Sequence, residues 1–363
     1  MQSCSKAPRN EWRTADSRQA GTRTTGKTPL RILMVTDAWR PQINGVVHTL
    51  ERLAETLTAF DAEADFLTPN IFRTLPMPTY PDIRLALTTP GNVARIIDER
   101  RPDHIHLVTE GPLGMMARRY CLARKRPFTT SYHTRFPEYV SARLPLPESW
   151  TYGLLRNFHN SGQGCMVATQ SLAADLASRG FEKLRPWTRG VDIKHFHPDK
   201  KVEMDLPRPI FLCVGRIAVE KNLPAFLDLD LPGTKVLVGD GPELERLKAR
   251  YPKAHFLGRR PSDELAEIYA SSDVFVFPSR TDTFGTVIIE ALASGTPVAA
   301  YPVTGPIDIV GDGIGGVVSE DLREAALGAL KIDRTEARER AMRYTWNACA
   351  EMFLDNVRAA YTT

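Results

Sequence analysis

The sequence predicts an α/β protein made of two doubly wound, Rossmann-like domains whose parallel sheets face a central cleft. Three observations carry that prediction. Short apolar runs rich in Val, Ile, Leu and Phe alternate with amphipathic segments of helical period, the rhythm of a parallel sheet wound by crossover helices. The rhythm restarts after a charged, proline-bearing stretch at 197–209. Polar, glycine-bearing turns follow several of the strands, at the carboxyl ends where open α/β sheets bind ligands.

The first series reads as strands at 31–35, 64–67, 104–108, 128–131 and 166–169, with helices at 46–57, 93–99, 114–124 and 171–178. The second reads as strands at 210–214, 235–238, 255–257, 273–277 and 297–300. Its helices fall at 222–227, 242–250, 262–270 and in the segment opened by 282–286 and closed by Ser294, Gly295 and Pro297. A last amphipathic helix spans 346–361 and fits against either domain. The expected organisation is a disordered basic tail at 1–28, a first domain at 29–205, a second at 206–345, and the final helix at 346–363.

Composition narrows the class. The net charge is +4, and residues 1–28 account for it with six basic side chains against two acidic ones (Lys6, Arg9, Arg13, Arg18, Arg23, Lys27; Glu11, Asp16). With the basic excess confined to a polar tail, no nucleic-acid partner is expected. The tail fits contact with an anionic surface or a plain solvated extension. No run approaches the ~20 apolar residues of a membrane span. The first residues lack the apolar centre of a signal peptide. Five scattered cysteines with apolar neighbours fit reduced thiols and a cytoplasmic location.

The richest segment is 278–291. Asp282 and Glu290 flank the start of a helix that follows the 273–277 strand. A helix N-terminus offers free N–H groups and partial positive charge, which suit a phosphate. Glu290, one turn inside, is placed for hydroxyls beside that phosphate, such as those of a ribose. A lone Asp282 would read as a helix cap and a lone Glu290 as a solvated residue; their joint setting favours a nucleotide-sugar site. Gly45 opens the helix after the first strand and lets a ligand approach the backbone. The turn is not G-x-G-x-x-G, so no dinucleotide fingerprint is present. Arg216 and Lys221 follow the 210–214 strand, and such a pair stabilises charge growing on a departing diphosphate. Gly239, Asp240, Gly241 and Pro242 form a mostly structural turn. Asp228 and Asp230 read D-x-D but fall between a helix and the next strand, away from the cleft, and are taken as a chance match.

In order and spacing these segments resemble the GT-B-fold glycosyltransferases of family 4, retaining enzymes that use nucleotide sugars. The markers are Asn44 and Gly45; Ser131, His133 and Arg135; Gly215, Arg216, Lys221 and Asn222; Gly239 to Pro242; and Asp282 to Gly285 with Glu290 and Ala291. The resemblance spans about residues 30–361. It implies that His133 contacts the donor sugar near the reacting centre and that Gly45 approaches the diphosphate. It implies that Arg216 and Lys221 bind the diphosphate as it leaves, and that Phe284, Gly285 and Thr286 offer backbone amides. Glu290 would hold the ribose, and residues 258–260 would lie near the base. Asp282 stands where the family's E-x7-E motif usually has Glu; its shorter reach bears on sugar identity. No metal or other cofactor is expected.

Residues 37–42, 79–84 and 282–285 look like the glycolipid-making branch, which implies a hexosyl or uronosyl donor and a membrane lipid acceptor such as diacylglycerol. Residues 115–126 mix an apolar side with basic residues, which suits either an anionic membrane surface or a helix packed on the sheet. The large apolar groups at 144–158 suit either a lipid groove or core packing. A peripheral location on the cytoplasmic membrane face follows from the first option in each case. A soluble sugar or polysaccharide acceptor, and an epimerase of the same architecture, remain alternatives.

Overall fold

The computed structural model describes residues 28–40, 45–77, 80–135 and 148–361. The basic tail therefore lies outside the described residues except for Thr28, as do Asn44, Thr79 and the start of the 144–158 segment.

Two six-stranded parallel sheets form the frame. The first contains β1 (Leu30–Val35), β2 (Ala62–Leu67), β5 (His104–Leu107), β6 (Phe128–Tyr132), β7 (Cys165–Val167) and β8 (Leu184–Pro186), in the order β2-β1-β5-β6-β7-β8. The second contains β9 (Ile210–Val214), β10 (Thr234–Val238), β11 (His255–Gly258), β12 (Val274–Phe277), β13 (Val298–Ala300) and β14 (Gly316–Val318), in the order β11-β10-β9-β12-β13-β14. Chain order reverses between β1 and β5 in the first sheet and between β9 and β12 in the second, which sets a crevice at each place. The fully apolar runs become central strands covered on both faces: Ile32 to Val35 and Val274 to Val276 are all fully buried.

One face of the first sheet packs Leu33, Val35, Ile105 and Leu107 against Val93 and Ile97 of the Pro90–Arg100 helix and Leu113 and Ala117 of the Pro112–Ala123 helix. The other face packs Ile32 and Met34 against Leu50 and Leu53 of the Gly45–Leu57 helix. Phe353, Leu354 and Val357 of the Trp346–Ala359 helix join this same core, so the late helix lies on the first sheet rather than the second. The Thr345 hydroxyl caps it, accepting from the Ala348 N–H at 3.2 Å.

The structure adds elements that the pattern did not suggest. Arg73–Met77 (β3) and Tyr80–Leu87 (β4) pair as an antiparallel hairpin after β2. Glu148–Asn160 is a helix that buries Tyr152, Leu155 and Phe158, as core packing requires, while leaving Trp150 and Leu154 exposed. Strands β8 and β14 and the helices Leu322–Ala329 and Arg334–Ala341 complete the two halves.

Candidate active site

The second sheet supplies most of the site. Gly215 follows β9 with φ +153°, and a Cβ there would meet nothing within 4 Å. The same emptiness lies over Gly45. Among the described residues neither glycine is demanded by a neighbour, and open space adjoins both backbones. Gly239 differs: its added Cβ would lie 1.9 Å from the Gly215 carbonyl oxygen, so it sets the close approach of the β9 and β10 loops. Arg216 is exposed and makes no ion pair among the described residues. Lys221 reaches from the β9 loop to the β12 loop, where its Nζ lies 2.7 Å from Asp282 Oδ1. Asp282 therefore does not cap the following helix. Its second oxygen, Oδ2, is buried and accepts no hydrogen bond among the described residues.

The helix Thr286–Ala293 starts at Gly285, whose φ of +87° is a left-handed conformation that favours glycine. Among the described residues no side chain caps this helix, which leaves its first amides for a ligand. Thr286 lies in that first turn. The Phe284 side chain is core, 5.8 Å from the Tyr344 ring, leaving only its backbone to the cleft. Glu290 is half-buried, and Tyr269 donates to its Oε2 at 3.0 Å. Burial outweighs that bond and pushes the Glu290 carboxyl up to about 7. Arg259 and Arg260 are exposed on the loop after β11, and Gly239 donates to the Gly258 carbonyl at 2.9 Å, which holds that loop beside the β10 turn.

The first sheet faces this set across short bridges. Thr283 donates through Oγ1 to the His133 carbonyl at 2.7 Å. Arg135 pairs with Asp175 at 2.9 Å and donates to Thr304 Oγ1 at 3.0 Å. Ser171 donates through its backbone N–H to Asp308 Oδ1 at 2.9 Å. His133 thus stands at the carboxyl end of β6 against the Asp282 loop. Both of its ring nitrogens are engaged within the protein: Arg189 donates to Nδ1 at 3.1 Å, and Ser131 Oγ lies 2.8 Å from Nε2.

Sequence reasoning missed Arg189 and Tyr269. Arg189 is 5% exposed, stacks over Trp187 and makes no ion pair among the described residues. Tyr269 lies inside a helix with no local marker of its role. Asp37 also proves structural: it accepts from the Leu113 and Gly114 amides at 2.8 and 3.3 Å and so caps the helix after β5. Asp228 accepts from Tyr251 at 2.7 Å on the amino side of β10, the end of the sheet opposite the site. Among the described residues no group of His, Cys, Asp or Glu side chains is arranged to hold a metal ion.

Two parallel sheets, two cations, an open helix N-terminus and two carboxylates together suit a phosphorylated ligand that also carries hydroxyls. Residues 43–195 match the family described as Glycosyltransferase Family 4, and residues 208–332 match Glycosyl transferases group 1. The chain is 30% identical over 319 residues to a GDP-mannose-dependent alpha-mannosyltransferase of Corynebacterium glutamicum, covering 80% of this chain and 76% of that one. It is 28% identical over 347 residues to the alpha-monoglucosyldiacylglycerol synthase of Streptococcus pneumoniae, covering 83% and 78%. Its structure is similar to that of Anabaena Alr3699/HepE, crystallised with UDP-glucose, at a TM-score of 0.66 and 17% identity over 91% of this chain and 99% of that one. The chain belongs to the family 4 glycosyltransferases and has the GT-B fold.

Proposed function

We propose that this protein moves a hexosyl or uronosyl group, with retention, from a nucleotide-diphosphate sugar to a membrane lipid such as diacylglycerol. The observation that carries the reading is the Lys221–Asp282 pair set between an exposed Arg216 and the uncapped start of the Thr286–Ala293 helix. Arg216, Lys221 and the helix amides suit a diphosphate in the ground state and its greater charge in the transition state. The unpartnered Asp282 Oδ2 suits a sugar hydroxyl, since a buried acceptor without a donor is costly. Glu290, held by Tyr269, suits the ribose hydroxyls. The open space beside Gly45 and beside Gly215 suits a close approach of the diphosphate to either backbone.

The step needs no protein nucleophile, so the paired-carboxylate logic of glycosidases does not apply. The acceptor oxygen bonds to the anomeric carbon on the face from which the diphosphate departs. The bond from that carbon to the phosphate oxygen breaks, and the acceptor proton passes to the leaving phosphate. Protein side chains position the partners and stabilise charge. The two cationic side chains fill the role that a metal plays elsewhere, so we propose metal-independent transfer.

Exposed apolar groups support the lipid acceptor. Trp150 and Leu154 are 74% and 56% exposed on one helix, and Met115 and Leu122 are exposed on its neighbour, beside the exposed Arg119, Arg124 and Lys125. Arg118 donates to the Asn157 carbonyl at 3.0 Å and joins the two helices. An apolar and basic face of this kind suits the cytoplasmic surface of an anionic membrane. Among the described residues no helix is long and apolar enough to cross a membrane.

The test is a panel of UDP- and GDP-sugars incubated with the protein and a membrane lipid extract, read by mass spectrometry for nucleoside diphosphate and new glycolipid. A lipid product from one donor supports the reading. Donor consumption with no lipid product refutes the acceptor assignment and turns attention to a soluble acceptor or to epimerisation.

A further inference from the structure

Beneath His133 runs a row of side chains that the site itself does not use. Residues two apart on β5 and β6 point to the same face of the sheet. His104 and His106 of β5 therefore share a face with Thr129 and Ser131 of β6, under Trp187 and Phe353. Their polar atoms meet in sequence. Tyr361 OH is 2.9 Å from His104 Nδ1, and His104 Nε2 is 2.8 Å from Thr129 Oγ1. Thr129 Oγ1 is 2.8 Å from His106 Nδ1, and His106 Nε2 is 3.2 Å from Ser131 Oγ. Ser131 Oγ is 2.8 Å from His133 Nε2. His104, His106, Thr129 and Ser131 are fully buried.

The donors can be assigned by elimination, because each neutral imidazole and each hydroxyl carries one proton. Arg189 donates to His133 Nδ1, so His133 carries its proton on Nε2 and donates to Ser131. At the other end Tyr361 donates to the Asp103 carbonyl at 2.7 Å. Its oxygen must then accept from His104 Nδ1, which leaves His104 Nε2 to accept from Thr129. Thr129 in turn accepts from His106 Nδ1, and His106 Nε2 accepts from Ser131. Every bond points the same way, from Arg189 to the Asp103 carbonyl. Burial keeps all three imidazoles neutral, holding His104 at about 3 and His106 and His133 well below the ordinary value, with Arg189 adding to the effect at His133.

We propose that Tyr361, His104, Thr129, His106 and Ser131 are positioning residues that fix the tautomer and ring plane of His133, with Tyr361 setting the direction of the chain. The proposal rests on the reading that His133 borders the reacting centre. Aligned hydrogen bonds polarise one another and strengthen the last link. The opposite direction is open to the two inner histidines once Tyr361 no longer accepts from His104. His104 and His106 would then both carry Nε2 protons, and Ser131 would accept from His106 and His133 together while turning its own hydrogen to the Val108 carbonyl, 3.4 Å away. That arrangement loses the alignment and loosens His133. Tyr361 is half exposed and stands at the far end of a strand of five residues, roughly 16 Å from the site.

The test uses the full chain with 15N-labelled histidine and two-bond 15N–1H correlation. The wild type should show Nδ1-protonated His104 and His106 and Nε2-protonated His133. Tyr361→Phe should move the His104 and His106 protons to Nε2, leave UDP and GDP affinity unchanged, and lower kcat about tenfold through loosened positioning. Thr129→Val should lower kcat to a similar degree, and Thr129→Ser, which keeps the hydroxyl, should restore it. Other wild-type tautomers, no movement in Tyr361→Phe, or movement with unaltered kcat would each overturn the proposal. The spectrum is read without substrate, so its failure is distinct from failure of the transfer assay.

Discussion

Lys221→Ala tests the diphosphate role directly. Lys221 Nζ lies 2.7 Å from Asp282 Oδ1, and the two side chains are 26% and 21% exposed. Both side chains are largely buried, so removing Lys221 leaves Asp282 without its ion-pair partner and costs about 1–3 kcal/mol of stability. Its effect on a diphosphate is larger. A unit charge about 4 Å from a phosphate oxygen contributes about 4 kcal/mol at an effective dielectric constant of about 20. Much of that is present before reaction; the part gained as the diphosphate leaves is comparable to an oxyanion-hole donor, about 2.7–4 kcal/mol. Removing Lys221 also leaves the Asp282 carboxylate unopposed beside the incoming diphosphate. We expect kcat to fall about 100–1000-fold, nucleoside diphosphate affinity to fall less, and the melting temperature to fall by only a few degrees, with the fold intact. Initial rates with the donor chosen by the panel, together with calorimetric titration of UDP or GDP, separate the two effects. Turnover within about tenfold of the wild type would refute the electrostatic argument.

Glu290 predicts a pH signature. Its folded pKa of about 7 stands above the ordinary 4.5, so its contribution to stability is full below pH 4.5 and is lost as pH rises through 7. Glu290→Gln should flatten that slope in chemical denaturation, and an unchanged slope would count against the burial argument. Donor affinity should rise through the same window as the carboxylate forms, and should not do so in the variant. Trp150→Ala with Leu154→Ala should weaken binding to anionic liposomes by about tenfold or more, given about 1.5–3 kcal/mol for each large side chain fully buried; equal binding would remove these residues from any membrane contact. Phe353, fully buried against the first sheet, should cost about 3–5 kcal/mol on replacement by Ala. A loss under about 1 kcal/mol would mean that the late helix is not integral to that core.

The two sheets were legible because their central strands are unbroken apolar runs, such as 32–35 and 274–277, bounded by polar or charged residues. The hairpin at β3 and β4 was not, because Pro76 and Pro81 interrupt a segment of mixed polarity. The Glu148–Asn160 helix was obscured by its own surface: exposed Trp150 and Leu154 break the two-faced pattern by which a helix is recognised. The candidate residues Arg216, Lys221, Asp282, Gly285 and Glu290 could be singled out in sequence because they cluster just after two strands, and β9 and β12 are neighbours, which brings Lys221 to Asp282. Arg189 and Tyr269 were not, since each reaches its partner from more than 20 positions away in sequence, Arg189 to His133 and Tyr269 to Glu290. The Lys221–Asp282 pair joins residues 61 positions apart, which no local pattern encodes.

The placement of the Trp346–Ala359 helix bears on how the protein is made. Leu50 and Phe353 belong to one core yet stand about 300 residues apart. At roughly 5–20 residues per second a ribosome needs about 15–60 seconds to travel that distance. During that interval the second half has its strands and helices available and can close its own core. The first half emerges earlier but waits with the core around Ile32, Met34 and Leu50 only partly covered, by its own Gly45–Leu57 helix and without Phe353 or Leu354. Birth order and completion order are thus reversed, and the half made first is the one a holding chaperone would shelter longest.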